Sequence, residues 1–206
     1  MVSRVGLFFK RDSAIKQRPV NSSDLPSTQR QTIPVGTLLV LQSYAEPSPA
    51  TTNHYRFSLK TLQIKGFSTN WYAFADHVQL MNQPFSPVQT VGNVLANQQQ
   101  KDVVKIIVKG QPFAAQGFLK LVFNIDTIIK RRPVDSNVLN DQSKQAVPAG
   151  TELVLFTNQP DAFKAVSFSI EDKHVKFTLK DLEFKGFRQD WYAFIDHVGI
   201  QPIGFG

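Results

Sequence analysis

The residues best able to do chemistry come in matched pairs. Asp76-His77 recurs as Asp196-His197, His54 as His174, Arg18-Pro19 as Arg132-Pro133, and Trp71-Tyr72 as Trp191-Tyr192. A carboxylate beside a histidine can orient an imidazole for general-base work. No nucleophile motif accompanies either pair, however, and the chain has no cysteine. Both pairs stand just before a closing strand, where a turn-forming Asp and a structural His are expected. No residue is therefore assigned a catalytic role, and the chain is read as non-enzymatic and without a cofactor. Zinc wants three or four ligands. His54 and His77 lie 23 residues apart, as do His174 and His197, with no close His pairing, so no metal site is expected.

Recognition remains. An arginine at Arg18 or Arg132 could clamp a carboxylate in bidentate fashion; the competing reading is an ion pair with Asp12 or Asp126, or simple solvation. Trp71 and Trp191 offer large rigid faces for a sugar or an extended peptide. Strand alternation places Trp71, Ala73 and Ala75 on one side and Tyr72 and Phe74 on the other, and small residues beside an indole equally suit a packed core. The candidate ligand-binding set is Arg18, Trp71, Tyr72 and His77, with their counterparts Arg132, Trp191, Tyr192 and His197.

The pairs match because the chain is a tandem duplication, about 6–80 recurring as about 120–200. The offset is 114 from Ile15/Ile129 to Leu41/Leu155 and 120 from His54/His174 onward, so the second copy holds six extra residues in the intervening loop. Each copy reads as short strands. Thr37 to Leu41 is a compact apolar run after Pro34 and Gly36, His54 to Leu59 alternates, and Trp71 to Ala75 is aromatic. Phe8-Phe9 and Val78 to Leu80 supply opening and closing strands. Lys16 to Ile33 is polar and reads as one long loop, and Lys65-Gly66-Phe67 and Lys185-Gly186-Phe187 as hairpin tips. The expected fold is all-β: two tandem small, partly open β-barrels, over 1–81 and 120–206. Residues 82–119 join them. Asn82 to Gln100 is a Gln-, Asn- and Pro-rich linker with a short helical turn around Val91 to Gln98. Val103 to Lys109 is an added strand that could pair with Phe118 to Phe123 as a hairpin or offer an edge to a partner.

The 206 residues are 42% apolar and 19% charged, an ordinary globular composition, with net charge +7. The basic residues are dispersed, Lys130-Arg131-Arg132 being the densest run. The aromatics sit in apolar strands rather than among Lys and Arg, so nucleic acid is not expected as a partner. No stretch approaches the roughly 20 apolar residues of a membrane helix. The first residues lack a signal peptide's apolar run and cleavage site. Location is left open: cytoplasmic or virion-associated, unless another route exports the chain.

Three motifs, Lys-x-Arg-Pro-Val-Asn/Asp-Ser (from Lys16 and Lys130), Pro-x-Gly-Thr (from Pro34 and Pro148) and Trp-Tyr-x-Phe-x-Asp-His-Val (from Trp71 and Trp191), resemble bacterial Src-homology-3-like domains. They look especially like those attached to cyanobacterial cell-wall hydrolases. The resemblance covers both copies and leaves the central segment aside. It implies non-catalytic modules that bind cell-wall peptide or glycan, or a protein partner. The alternative expectation is a structural interaction protein, such as a virion or sheath component of a phage infecting cyanobacteria, forming a homo-oligomer or larger assembly. The missing signal and enzyme and the added strand point that way.

Overall fold

The structure, a computed structural model, describes residues 2–96, 119–156 and 168–202. The all-β expectation holds. The first copy contributes β1 (Val2–Phe9), β2 (Ser13–Lys16), β3 (Arg30–Ile33), β4 (Leu38–Ala45), β5 (His54–Leu59), β6 (Trp71–Phe74) and β7 (Val78–Phe85). After α1 (Val91–Ala96) the second contributes β8 (Leu119–Phe123), β9 (Thr127–Lys130), β10 (Lys144–Val147), β11 (Glu152–Val154), β12 (Phe168–Glu171), β13 (His174–Phe177), β14 (Trp191–Phe194) and β15 (Val198–Pro202). The expected helical turn is α1, and β7 runs on to Phe85, past 81. The added strand at Val103 to Lys109, residue Phe118 of its partner and the six extra residues of the second copy lie outside the described residues.

In the first copy the antiparallel order is β7-β1-β4-β5-β6-β2-β3. The second repeats it as β15-β8-β11 and β12-β13-β14-β9-β10, linked by the Leu155–Leu179 bridge. These ladders do not close into a barrel among the described residues. One reading is refined: the long loop spans 17–29, with 3-10 turns at Ser22–Asp24 and Ser27–Gln29, and its ends pair, β2 with β3 from Ser13–Ile33 to Lys16–Arg30. Its polar sequence hid the pairing because one face lies open to water; Gln31 and Ile33 are buried while Thr32 between them is exposed. The turn into β4 needs Gly36 at φ 84° and that into β11 Gly150 at φ 83°, a conformation cheap only for glycine. Their N–H groups donate to the Phe9 and Phe123 carbonyls at 2.9 and 2.7 Å.

Both indoles are fully enclosed, at 0% exposure. Each Nε1–H donates to the carbonyl of the hairpin tip, Trp71 to Phe67 and Trp191 to Phe187, both at 3.1 Å. The expectation of ligand contact at Trp71 and Trp191 is therefore corrected: neither presents any surface to a ligand. Each fills a core and satisfies its one donor inside it.

The two copies are not beads on a string. Their buried apolar side chains form one continuous cluster, from Leu7 and Trp71 through Val91 to Phe177 and Trp191. They meet about a pseudo-two-fold axis, because the contacts are reciprocal between equivalent residues. Leu38 of β4 pairs with its own counterpart, Glu152 of β11. Gln31 Nε2 donates to the Asp181 carbonyl at 2.5 Å, and Gln145 to the Thr61 carbonyl at 3.4 Å. Beside the Leu38 pairing, buried Glu152 takes Lys120 at 2.6 Å and Arg4 at 3.3 Å, and Arg4 also donates to the Gly150 carbonyl.

Removing a buried tryptophan typically costs about 3–5 kcal/mol. Trp71→Ala and Trp191→Ala should each lower stability by about that amount, whereas Arg18→Ala should change it by less than about 0.5 kcal/mol. Because the core is shared, either tryptophan variant should shift one denaturant transition as a whole; two separate transitions would contradict the shared core.

Candidate functional site

A cleft of about 670 Å³ opens on the first copy between the β2–β3 turn and the start of β5, with the 3-10 turn Ala75–His77 at its side. Ser13, Lys16, Val20, His54, Phe74 and His77 line it. Local geometry delivers each. Positive φ at Thr52 and Asn53 turns the chain sharply into β5, so that His54 begins the strand facing inward. Its Nδ1 lies 2.9 and 2.7 Å from the Thr51 and Thr52 carbonyls. A carbonyl can only accept, so Nδ1 carries the proton and Nε2 is left as an acceptor. Lys16 Nζ donates to that Nε2 at 2.9 Å and to the Val20 carbonyl at 2.7 Å. One ammonium thus pins the turn of the hairpin to β5.

The second imidazole is held differently. His77 Nδ1 lies 2.9 Å from Ser13 Oγ, across 64 residues of sequence. Phe74 stands between the two histidines, its ring centroid 5.3 Å from His54 and 5.1 Å from His77, both edge-on. Every part recurs in the second copy: Lys130 on His174 at 2.9 Å and on the Val134 carbonyl at 2.6 Å, Thr127 Oγ1 on His197 Nδ1 at 2.6 Å, and Phe194 between the rings.

Electrostatics keep these imidazoles neutral. Burial lowers the His54 pKa, and the Lys16 charge lowers it further. Burial, with Arg11 next, lowers that of His77. Burial is also the leading cause for His174 and His197, and it depresses both Lys16 and Lys130. A hydroxyl beside an imidazole is half of a nucleophile–base pair. Here the His77 Nδ1 is spent on Ser13, so the adjacent carboxylate of Asp76 does not orient the ring through it. Among the described residues no three His, Cys, Asp or Glu side chains gather to hold a metal ion. With both His54 nitrogens and the Lys16 ammonium engaged, the cleft wall presents the neutral His77 ring and an aromatic face.

Of the residues singled out from sequence, His77 lines the cleft and His197 holds the equivalent place. Arg18 and Arg132 are exposed on the hairpin turns, and Arg18 does not line the cleft. The carboxylates considered for them are engaged elsewhere, Asp12 with the Val35 N–H and Asp126 with the Ala149 N–H, each at 2.8 Å. Tyr72 is half-buried, while Tyr192 is buried with its hydroxyl on Glu171 at 3.1 Å. Lys16, His54, Ser13 and Phe74 escaped notice as cleft residues, although the duplicated Lys16/Lys130 and His54/His174 carried the signal.

The copies differ around this common frame. Ala14, Asp24 and Thr52 line the first cleft; their counterparts are Ile128, Val138 and Asp172. Val138, 68% exposed, puts an apolar side chain where the first copy has a carboxylate, Ile128 at 39% exposed enlarges an apolar position, and Asp172 brings a carboxylate where the first copy has a hydroxyl. Against protein-family models, curated proteins and solved structures, the chain finds no match.

Each histidine has its folded pKa depressed below the unfolded value of about 6.5. Stability is then complete above pH of about 6.5 and is lost as pH falls below it, because the unfolded chain takes up protons the fold resists. Melting temperature should be level from pH 8 to 7 and decline steadily towards pH 5. In Lys16→Met the cation that suppresses His54 protonation is gone, so an NMR titration should place the His54 midpoint higher than in the parent chain. An unchanged midpoint would remove Lys16 from the account.

Proposed function

We propose that this chain is a non-enzymatic binding protein built from two Src-homology-3-like modules, each recognising an extended cell-wall peptide or glycan through its His–Phe–His cleft. The observation that carries the reading is the duplicated side-chain arrangement, which lines a cleft in the first copy, with a lysine clamp holding the hairpin turn over two neutral imidazoles and a phenyl ring. Such a surface gives one neutral imidazole edge, that of His77, and an apolar ring for stacking, with little conformational freedom left to lose on binding. The order of elements supports the resemblance. Gly36-Thr37 leads into β4, Trp71-Tyr72 opens β6, and His77 stands just before closing strand β7, with the same sequence of events in the second copy.

A second reading has its own support. Ile125, Ile128 and Val138 are exposed on the second copy, and apolar surface of that kind suits a protein partner or a larger assembly. This is the structural-component reading, with a virion or sheath of a phage infecting cyanobacteria as its setting.

Co-sedimentation with purified cyanobacterial sacculi separates the two. The cell-wall reading expects saturable retention that falls at least about fivefold in the His77→Ala, His197→Ala double variant, whose tryptophan cores are untouched. Absence of retention by the parent chain, together with concentration-dependent assembly that Val138→Ser suppresses, would hand the case to the structural reading.

A further inference from the structure

A groove runs along the junction of the copies in three adjoining cavities of about 370, 470 and 400 Å³, the first of which borders the cleft of the first copy at Ala14 and Ser22 while the central one shares no residue with it. The central one lies on the pseudo-two-fold axis. Its lining consists of equivalent pairs: Thr28 with Gln142, Gln63 with Glu183, Lys65 with Lys185, Gly66 with Gly186. It shares Lys65 and Glu183 with one flanking cavity, and Gln63 and Lys185 with the other.

Within the central cavity the charge differs at one pair, Gln63 and Glu183, while in the flanking cavities Asp181, Arg188 and Asp141 stand where the other copy has Thr61, Ser68 and Ser27. Lys65 Nζ reaches Glu183 Oε2 at 3.6 Å, and Arg188 takes Glu183 Oε1 at 3.3 Å. Both oxygens of the only carboxylate in the central cavity are thereby engaged. Lys185, the counterpart of Lys65, meets the amide oxygen of Gln63 at 3.4 Å instead of a carboxylate. The centre of the groove therefore holds one more cation than its acids balance. The backbone points the same way. Lys65 and Lys185 sit at φ 51° and 54°, where a lysine pays a steric penalty that Gly or Asn would largely avoid. Next to each, Gly66 and Gly186 have nothing within 4 Å of where a side chain would begin, so the mouth is open.

We propose that this groove is an oxyanion-binding site: a phosphate or carboxylate group of a ligand seats between Lys65 and Lys185, supplying the charge that Gln63 lacks. The site does not depend on the cleft reading above, since it shares none of the His–Phe–His residues.

Inorganic phosphate and malonate are the probes, titrated separately into the full chain and followed by backbone amide NMR. Saturable shifts at Lys65, Gly66, Lys185 and Gly186, with those of His54 and His77 unmoved, are expected, and the stronger probe tells whether phosphate or carboxylate chemistry is preferred. Gln63→Glu rebuilds in one copy the ion pair already present in the other, so it should fold normally while weakening binding of either probe at least about tenfold through like-charge repulsion. Lys185→Gln should do the same. The proposal is overturned if neither probe gives saturable shifts at these residues, or if Gln63→Glu binds as well as the parent chain.

Discussion

Two copies of one sequence in a single chain can bury a common surface only if that surface matches itself. Here several contacts at the junction are answered by their mirror. Leu38 against Glu152 and Gln31 against Asp181, with Gln145 against Thr61, are the form that requirement takes. The continuous core follows from it, since once β4 and β11 are aligned the apolar faces of both copies close on each other. So does the placement of function. The hairpin turns and their clefts stay exposed while the residues near the axis become walls of a shared groove.

Self-matching also explains where the copies have diverged. Position 38 and its counterpart 152 touch each other, so changing one to a carboxylate leaves the partner apolar and demands cations from nearby. Lys120 and Arg4 answer that demand. Burying a carboxylate without such partners would be strongly unfavourable. Divergence at Asp24/Val138, by contrast, falls at an exposed position in the second copy.

Much of this was legible in the residues alone. The repeat, the strand at Thr37 to Leu41, the hairpin tips at Lys65 and Lys185 and the short helix after Val91 all announce themselves locally, through periodicity and turn chemistry. The indoles were half-legible: alternation put small residues beside Trp71, which suits a core, yet only the fold shows that the Phe67 carbonyl takes its one polar atom out of reach of a ligand. The cleft was not legible. Lys16 and His54 are 38 residues apart, and Ser13 and His77 64. Nothing in local pattern links them, and a polar hairpin with one wet face reads like a loop. The groove on the axis was further still from view, since it belongs to neither copy and exists only once they meet.

Arg4 stands near one end of the chain, yet its partners Gly150 and Glu152 lie 146 and 148 residues later. On a ribosome, β1 leaves the exit tunnel long before those partners are made. The first copy must wait with Leu38, Gln31 and Arg4 uncovered. Contacts of such long range are slow to close and expose apolar edges in the interval. The uncovered face of a waiting first copy fits the second copy of a neighbouring chain, which carries the same Glu152, as well as it fits its own. Two nascent chains can therefore pair through it, exchanging halves. Domain-swapped dimers, arising during synthesis rather than from the finished fold, are the misassembly that this architecture invites.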